Sequence, residues 1–472
     1  VCAEYAGGKC MKMIFNVEDK PKFSQTLVFA FQQLLAIMAA TIAVPVITNS
    51  AAGSNMSIAA ALFGAGVGTL VYVLFTKAKS PVFLGSSFAF LGSMAAAFAG
   101  AVSMEVGYAG LIVGAIMAGL VYVVISLIVK FAGVLWINKL MPAVVIGPTV
   151  AIIGLSLAGS AVGDLQKSNV EGGSTLLAIL CGIVTLLVVT ICSTFGKKMA
   201  KLIPFIIGIL AGYALAAIFT AIGAATGNAS LMIVDFSPIK ALGDGGVTFS
   251  TFVSLPKFTF VEAISGFSQI DGAYLGTLFA AYVPVAFVVF AEHVADHKNI
   301  SSIIEKDLLT EPGLNRTLLG DGVGSMVGAF FGGCPNTTYG ESIACVAITR
   351  NASVVTIVTT AFLAIVVSFL SPIIAFLSSI PSCVMGGVCM TLYGFIAVSG
   401  LKMLQGVNLG DNKNLFVVSS ILISGIGGLA LRFGNVTITS VATALILGII
   451  VNKILSAKKD DKASDEANKK TA

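Results

Sequence analysis

Residues 335–350 read Pro-Asn-Thr-Thr-Tyr-Gly-Glu-Ser-Ile-Ala-Cys-Val-Ala-Ile-Thr-Arg. The stretch lies inside a chain of membrane-length apolar runs, yet it opens like the loop of a soluble active site. Pro335 cannot sit mid-helix. Asn336, Thr337 and Thr338 favour extended or capping conformations over helix, and Gly340 lets the backbone turn sharply. An apolar helical run, Ile343 to Ile348, begins only after Glu341. In lipid such a break is tolerated only where protein or a wet cavity satisfies the free backbone groups. The stretch therefore predicts extended backbone leading into a half-helix whose N-terminus carries a carboxyl group.

The rest of the chain supplies the membrane. Of its 472 residues, 57% are hydrophobic and 10% charged, which excludes an ordinary soluble domain. Apolar runs of about 20 residues recur, the length that crosses a bilayer. The 51 glycines suit closely packed and interrupted transmembrane helices. The short alternating segments of a transmembrane barrel are missing from the sequence. The fold class expected is an all-α polytopic membrane protein. The net charge of +5 resides in loops, and no basic patch interleaves with aromatics, so nucleic acid is not an expected partner. The eight cysteines show no metal-ligand spacing, and most lie in apolar runs, where a buried free thiol is ordinary. Neither metal nor cofactor is expected. Residues 1–10 have no apolar core of a signal peptide. The chain opens on Val rather than Met, and Met11 or Met13 is the expected start.

Hydropathy predicts fourteen crossings, the third (residues 82–102) and tenth (336–349) being interrupted. The fifth is expected at 142–162, the twelfth at 373–398, the thirteenth at 415–431 and the fourteenth at 437–455. Residues 1–25 then form a cytoplasmic N-terminal segment, 26–456 the membrane domain and 457–472 a solvated cytoplasmic tail without fixed structure. With the N-terminus inside, 23 of the 27 Lys and Arg fall in cytoplasmic loops and ends. Cytoplasmic loops retain Lys and Arg, so this split supports both the number of crossings and the orientation.

Two internal matches recur seven crossings apart. Met141-Pro-Ala-Val-Val-Ile-Gly-Pro148 resembles Ile380-Pro-Ser-Cys-Val-Met-Gly-Gly387, and Ser80-Pro-Val-Phe-Leu-Gly-Ser-Ser-Phe88 corresponds to Cys334-Pro-Asn-Thr-Thr-Tyr-Gly-Glu341. Seven is odd, so the halves would have opposite orientations in the membrane. Inverted repeats with paired broken helices are a transporter architecture whose substrate site lies between the breaks.

Ionisable residues within the crossings are few. Glu292 and Asp296 stand at i and i+4, on one helix face. Asp321 lies in the ninth crossing, and Glu341 follows the break. Intramembrane carboxyls are costly and commonly face a cavity or carry protons; the structural alternative is that they pair to hold packing. His293 and His297, the two histidines of the chain, read as interfacial packing residues, since two histidines without a third ligand make a poor zinc site. Phe88 and Tyr339 follow the two prolines, where an aromatic ring can stack on a flat ligand.

Glu292-His-Val-Ala-Asp-His297, Asp307-Leu-Leu-Thr-Glu-Pro-Gly-Leu-Asn-Arg316, Gly320-Asp-Gly322 and Pro335-Asn-Thr-Thr-Tyr-Gly-Glu341 with Ala347-Ile-Thr-Arg350 resemble the nucleobase–ascorbate transporter (nucleobase:cation symporter-2) family, in its bacterial uracil permease branch. The likeness extends to Phe31-Gln-Gln-Leu-Leu-Ala-Ile-Met-Ala-Ala-Thr41 and Leu84-Gly-Ser-Ser-Phe-Ala-Phe90. It implies a core of crossings 1–4 and 8–11, a gate of crossings 5–7 and 12–14, short antiparallel strands in crossings three and ten, and a homodimer in the bacterial cytoplasmic membrane. It also implies uracil import driven by a proton gradient. Glu292, Glu341, Tyr339, Gly340, Phe88 and Ala40 match the family's substrate pocket, and Glu292, Asp296 and Glu341 are the candidates for proton coupling. Two positions depart from the family pattern. Ser342-Ile-Ala344 replaces Asn-x-Gly, and Asp296 stands where some relatives carry His.

The chemistry agrees. Uracil is flat, with two N–H donors and two carbonyl acceptors. Carboxylates accept from the donors, backbone N–H groups at half-helix starts suit the carbonyls, and aromatic rings suit the faces. A purine (xanthine or guanine) carrier is the nearest rival; Gln commonly replaces Glu341 in that branch. An anion carrier would want a positive pocket, and a membrane enzyme a metal cluster or a nucleophile–base pair. Neither pattern is found.

Overall fold

The computed structural model describes residues 13–133, 142–197, 199–244, 246–433 and 436–470. Met141 of the first repeat motif and residues 1–12 of the N-terminal segment lie outside them. The protein is mostly helical, and among the described residues eight helices are long and apolar enough to cross a membrane.

The first half contains helices α1 (Phe23–Ala52) and α2 (Ile58–Phe75), strand β1 (Leu84–Ser86), and α3 (Leu91–Ala99), which a 3-10 turn at Phe88–Phe90 opens. Then come α4 (Met104–Ala132), α5 (Ala143–Ser156), α6 (Ala158–Leu165), α7 (Thr175–Phe195) and α8 (Pro204–Thr226). The second half contains α9 (Gly272–Ile304), α10 (Leu314–Gly332), strand β2 (Asn336–Thr338), α11 (Gly340–Thr349), α12 (Val354–Ser368), α13 (Ser371–Ser378), α14 (Ser382–Lys402) and α15 (Asn412–Ile426). Strands β3 (Leu431–Phe433) and β4 (Val436–Ile438) and helix α16 (Ser440–Lys470) complete the chain.

The two interrupted segments meet. β1 and β2 pair antiparallel, with Leu84 opposite Thr338, Gly85 opposite Thr337 and Ser86 opposite Asn336. Two three-residue strands have few ladder bonds, so neighbouring groups satisfy the rest. Leu84 N–H donates to Thr69 Oγ1 of α2 at 2.9 Å, and Phe83 N–H to Ser342 Oγ at 3.1 Å. Ser87 N–H donates to the Pro335 carbonyl at 2.9 Å, and Asn336 Nδ2 to the Gly64 carbonyl at 3.0 Å. Behind the strands α2 and α10 approach within backbone contact. A methyl group on Gly68 would stand 2.7 Å from the Gly324 carbonyl. Only glycine permits this approach, which is how transmembrane helices pack most closely.

Elsewhere the boundaries shift from expectation. The twelfth crossing, expected as one span over 373–398, is two helices, α13 and α14, because Pro381 caps the second rather than sitting inside it. The fifth, expected at 142–162, is one span over Ala143–Leu165 with a one-residue interruption at Leu157 between α5 and α6. β3 and β4 form a hairpin around the loop expected between the thirteenth and fourteenth crossings, taking in Leu431 from the end of one and Thr437 and Ile438 from the start of the other. Helix α16 continues through the charged tail expected to lack structure.

At one end of the bundle the N-terminal segment is strapped to the end of α11. Ile14 N–H donates to the Arg350 carbonyl and Ala352 N–H to the Phe15 carbonyl, both at 2.9 Å. Lys79 pairs with Glu311 nearby, and its ammonium holds that exposed carboxyl below its ordinary range.

Candidate functional site

A cavity of about 370 Å³ opens beside the paired strands. One wall comes from the interrupted segments and α9. Ser87 and Phe88 precede α3; Tyr339, Gly340 and Glu341 open α11; Glu292 and Asp296 project from one face of α9. The opposite wall is mostly apolar and includes Val150 and Ile153 of α5, Phe205 of α8 and Phe395 of α14. Lys201 stands at the mouth, exposed to solvent.

The carboxyl groups of Glu292, Asp296 and Glu341 therefore share one cavity, though they come from segments some 50 residues apart in sequence. All three residues are half-buried. Glu341 lies in the first turn of α11, where free N–H groups and the helix dipole favour negative charge. Asp296 Oδ2 accepts from Thr338 Oγ1 at 2.7 Å, which ties α9 to β2. Phe88 meets the Tyr393 ring of α14 edge-on at 6.0 Å. The Tyr339 hydroxyl donates to the Ser86 carbonyl at 2.7 Å, and its ring lies against Gly85, so this residue braces the strands as well as bordering the cavity.

Some expected residues fall elsewhere. Ala36 represents α1 in the lining; Ala40, one turn on, is buried and not part of it among the described residues. Ser342, at the first departure from the family pattern, lies behind the wall. Its hydroxyl accepts from Gln33 Nε2 at 2.6 Å and from Phe83 N–H, joining α1, α11 and β1. His293 and His297 are fully buried and hydrogen-bonded, not interfacial as expected. Thr338 and Lys201 line the cavity but were not singled out as site residues by sequence, and Tyr393 packs behind the lining on Phe88: a threonine in a strand, a lysine between two apolar runs and a tyrosine in an apolar helix carry no signal until packing brings them together.

A bundle of membrane-length helices, two broken segments meeting in a short sheet, and a carboxyl-lined cavity beside the breaks define a membrane transporter rather than an enzyme. The chain belongs to the Permease family, whose model (Xan_ur_permease) matches residues 24–432. It is 37% identical to a uracil permease of Bacillus caldolyticus over 450 residues, 95% of this chain and 96% of that one. Uracil permeases of Bacillus subtilis (strain 168) and Escherichia coli (strain K12) are 35% and 34% identical, covering 96% and 94% of this chain and 97% and 95% of theirs. Among solved structures, the transmembrane domain of the cyanobacterial bicarbonate transporter BicA has a TM-score of 0.55 at 16% identity, covering 92% of this chain and 98% of that one. The structure of SLC26A9 has a TM-score of 0.61 at 12% identity, covering 93% of this chain and 67% of that one. These two likenesses concern the fold alone.

Proposed function

We propose that the protein is a proton-coupled uracil importer of the bacterial cytoplasmic membrane, with both termini cytoplasmic. The observation that carries this reading is the convergence of Glu292 and Glu341 on one cavity, with the start of a half-helix on one wall and apolar side chains opposite. Uracil's N–H groups donate to the carboxyls. Its carbonyls accept from backbone N–H groups near Phe88 and Gly340, and its faces lie among Phe88, Tyr339 and the opposite wall. Full-length similarity to uracil permeases supports the substrate.

The transport domain has fourteen crossings in two inverted repeats of seven, joined as a homodimer. The antiparallel pairing of β1 with β2 supports the repeat, as do Pro142 and Pro381, which cap α5 and α14 at matching places in the two halves. Core and gate divide as the family resemblance implies, with the cavity between them. A carboxyl that gains or loses a proton changes the hydrogen bonds it offers, so proton occupancy and uracil binding are linked reciprocally. Glu292 is assigned the coupling role, with Asp296 and Glu341 beside it.

Uptake of labelled uracil into proteoliposomes tests this. An imposed inward proton gradient should drive accumulation, and unlabelled xanthine should compete poorly. Glu292→Gln keeps the shape, removes the titration and is expected to abolish gradient-driven accumulation. If xanthine accumulates and uracil does not, the purine branch is correct; if Glu292→Gln accumulates uracil as the parent does, the coupling lies at Asp296 or Glu341.

A further inference from the structure

The segment that joins α8 to α9 carries apolar side chains on its surface where a loop in water would carry charge. Between Asp244 and Glu262 its sole charged residue is Lys257, while Phe249, Phe252, Phe258 and Phe260 fall in the same stretch. Val247, Phe249 and Leu255 are 78%, 78% and 77% exposed, and Phe252, Val261 and Ile264 are each more than half exposed. Large apolar side chains grouped on a surface mark contact with another molecule or with a membrane. Helix α8 opens beside Lys201 and ends at Thr226, so the segment starts at the end of the bundle away from the cavity mouth.

The segment is fixed to the helices on one side. Phe249–Phe252 form a single helical turn, closed by Val253 N–H on the Phe249 carbonyl at 3.0 Å. Phe249 and Phe252, at i and i+3, share a face of that turn. The chain then meets the end of α12. Val253 bridges Leu370, Ser254 N–H donates to the Phe369 carbonyl at 3.0 Å, and Ser371 Oγ donates to the Ser250 carbonyl at 3.1 Å. Further on, Phe258 meets Phe63 of α2 edge-on at 4.9 Å, and Phe260 stacks on Phe330 of α10 at 4.8 Å. One pair of phenylalanines is thus spent on the helices, and the other faces outward. The join to α12 shows what lies there. Phe362 and Val366, two turns and one turn before Phe369, are 55% and 53% exposed and belong to the lipid-facing flank of that helix. The outward surface of Phe249, Phe252 and Leu255 continues this flank past the helix end, at the depth where aromatic side chains gather in membrane proteins. The backbone bonds at Val253 and Ser254 satisfy N–H groups that lipid could not.

We propose that residues 247–264 are seated in the headgroup layer of the bilayer, with Phe249, Phe252 and Leu255 among lipid, so that the connection between α8 and α9 is a membrane-surface anchor and not a solvated loop. The occupant is lipid because the patch runs on from the lipid-facing flank of α12 and carries a single charge over its apolar stretch. Apolar side chains that lie in the plane of the interface hold a segment there through the area they bury. The inference concerns the membrane alone and is independent of the nucleobase carried.

The chain has one tryptophan, Trp136, so Trp136→Phe leaves a background in which an introduced tryptophan is the sole reporter. Leu255→Trp and Phe249→Trp, each in the full chain reconstituted in bilayers, should emit to the blue of tryptophan in water. Each should lose most of that emission to lipids brominated near the headgroup and little to aqueous iodide. Glu171→Trp supplies the contrast. Glu171 is exposed in the connection between α6 and α7, which Ser174 N–H ties to the Ser230 carbonyl at 2.8 Å, at the same end of the bundle. Its tryptophan should be quenched by iodide and untouched by brominated lipid. Iodide quenching of Leu255→Trp and Phe249→Trp as strong as that of Glu171→Trp, with no effect of brominated lipid, overturns the proposal in favour of a solvated loop. Blue emission that brominated lipid leaves intact, and that reddens as the protein is diluted with lipid, overturns it in favour of a second copy. Blue emission that survives both brominated lipid and dilution means burial against the chain itself and overturns it as well. Should Trp136→Phe not fold, the difference between each variant and the parent, both retaining Trp136, reads the same quenching.

Discussion

Asp296 stands one helical turn from Glu292, and its carboxylate accepts the Thr338 hydroxyl at 2.7 Å. A half-buried carboxylate deprived of a donor loses about 1–3 kcal/mol, whereas removing both partners costs much less. Thr338→Val should therefore lower the thermal unfolding midpoint in detergent, and Thr338→Val combined with Asp296→Asn should recover most of the loss. Additive losses in that double-mutant cycle would deny the two residues any coupling. The candidate site was legible at this scale where residue type alone was informative. Glu292 and Glu341 stand out because carboxyls are rare in apolar runs, and both reach the cavity. His293 and His297 were misread because their partners are set by packing. Tyr72 comes from α2 and Asp321 from α10, and nothing local to the histidines announces either.

The elements were legible where backbone chemistry decides them. Pro335, the Asn-Thr-Thr run and Gly340 do produce strand and half-helix in that order, and Ser80-Pro81 opens the partner strand. What failed were boundaries. Pro381 was absorbed into one long apolar span, although a proline after Ile380 commonly marks a helix start. The β3–β4 hairpin falls on the connection that hydropathy leaves as a loop between the thirteenth and fourteenth crossings, where a run this short carries no helix period to test. The packing of α2 against α10 supplies the test at this scale. A methyl group on Gly328 would collide with Asn336, whose Nδ2 holds the Gly64 carbonyl and with it the position of β2. Overpacking of this kind costs about 1–3 kcal/mol. Gly328→Ala should thus lower the unfolding midpoint and weaken substrate binding together. Gly163→Ala in α6, where an added methyl meets nothing within 4 Å, should leave stability unchanged or raise it by up to about 1 kcal/mol. Equal destabilisation by both would mean that general loss of helix packing, and not the position of β2, governs the site.

At the scale of the whole molecule the two ends differ. The cavity reaches the end marked by Lys201 and Met403. At the opposite end of α7, Ser50 of α1 donates to Asp164 of α6 at 3.1 Å, and Lys167 bonds both Asp164 Oδ1 and Ser50 Oγ at 3.0 Å. These bonds join the proposed core to the proposed gate and, in the proposed orientation with cytoplasmic termini, lie on the outside. In that proposed orientation the arrangement is an inward-open state latched at its outer end. A carrier must break that latch to admit substrate from outside, so the latch bonds set the balance between the two states. Ser50→Ala removes the hydroxyl that joins α1 to both Asp164 and Lys167 and leaves the Asp164–Lys167 pair intact. The loss of these two bonds, the one from Lys167 being exposed, is worth about 1 kcal/mol together, or roughly a 5-fold shift in population toward the outward-open state. Apparent affinity scales with the fraction of protein in the competent state. The KM for external uracil in right-side-out vesicles should therefore fall about 5-fold when Ser50 becomes Ala, while uracil presented from the inside should bind no tighter. A KM that is unchanged or raised would mean that these bonds do not hold the outer end closed, and the latch would have to be sought in other contacts between α1 and the gate helices.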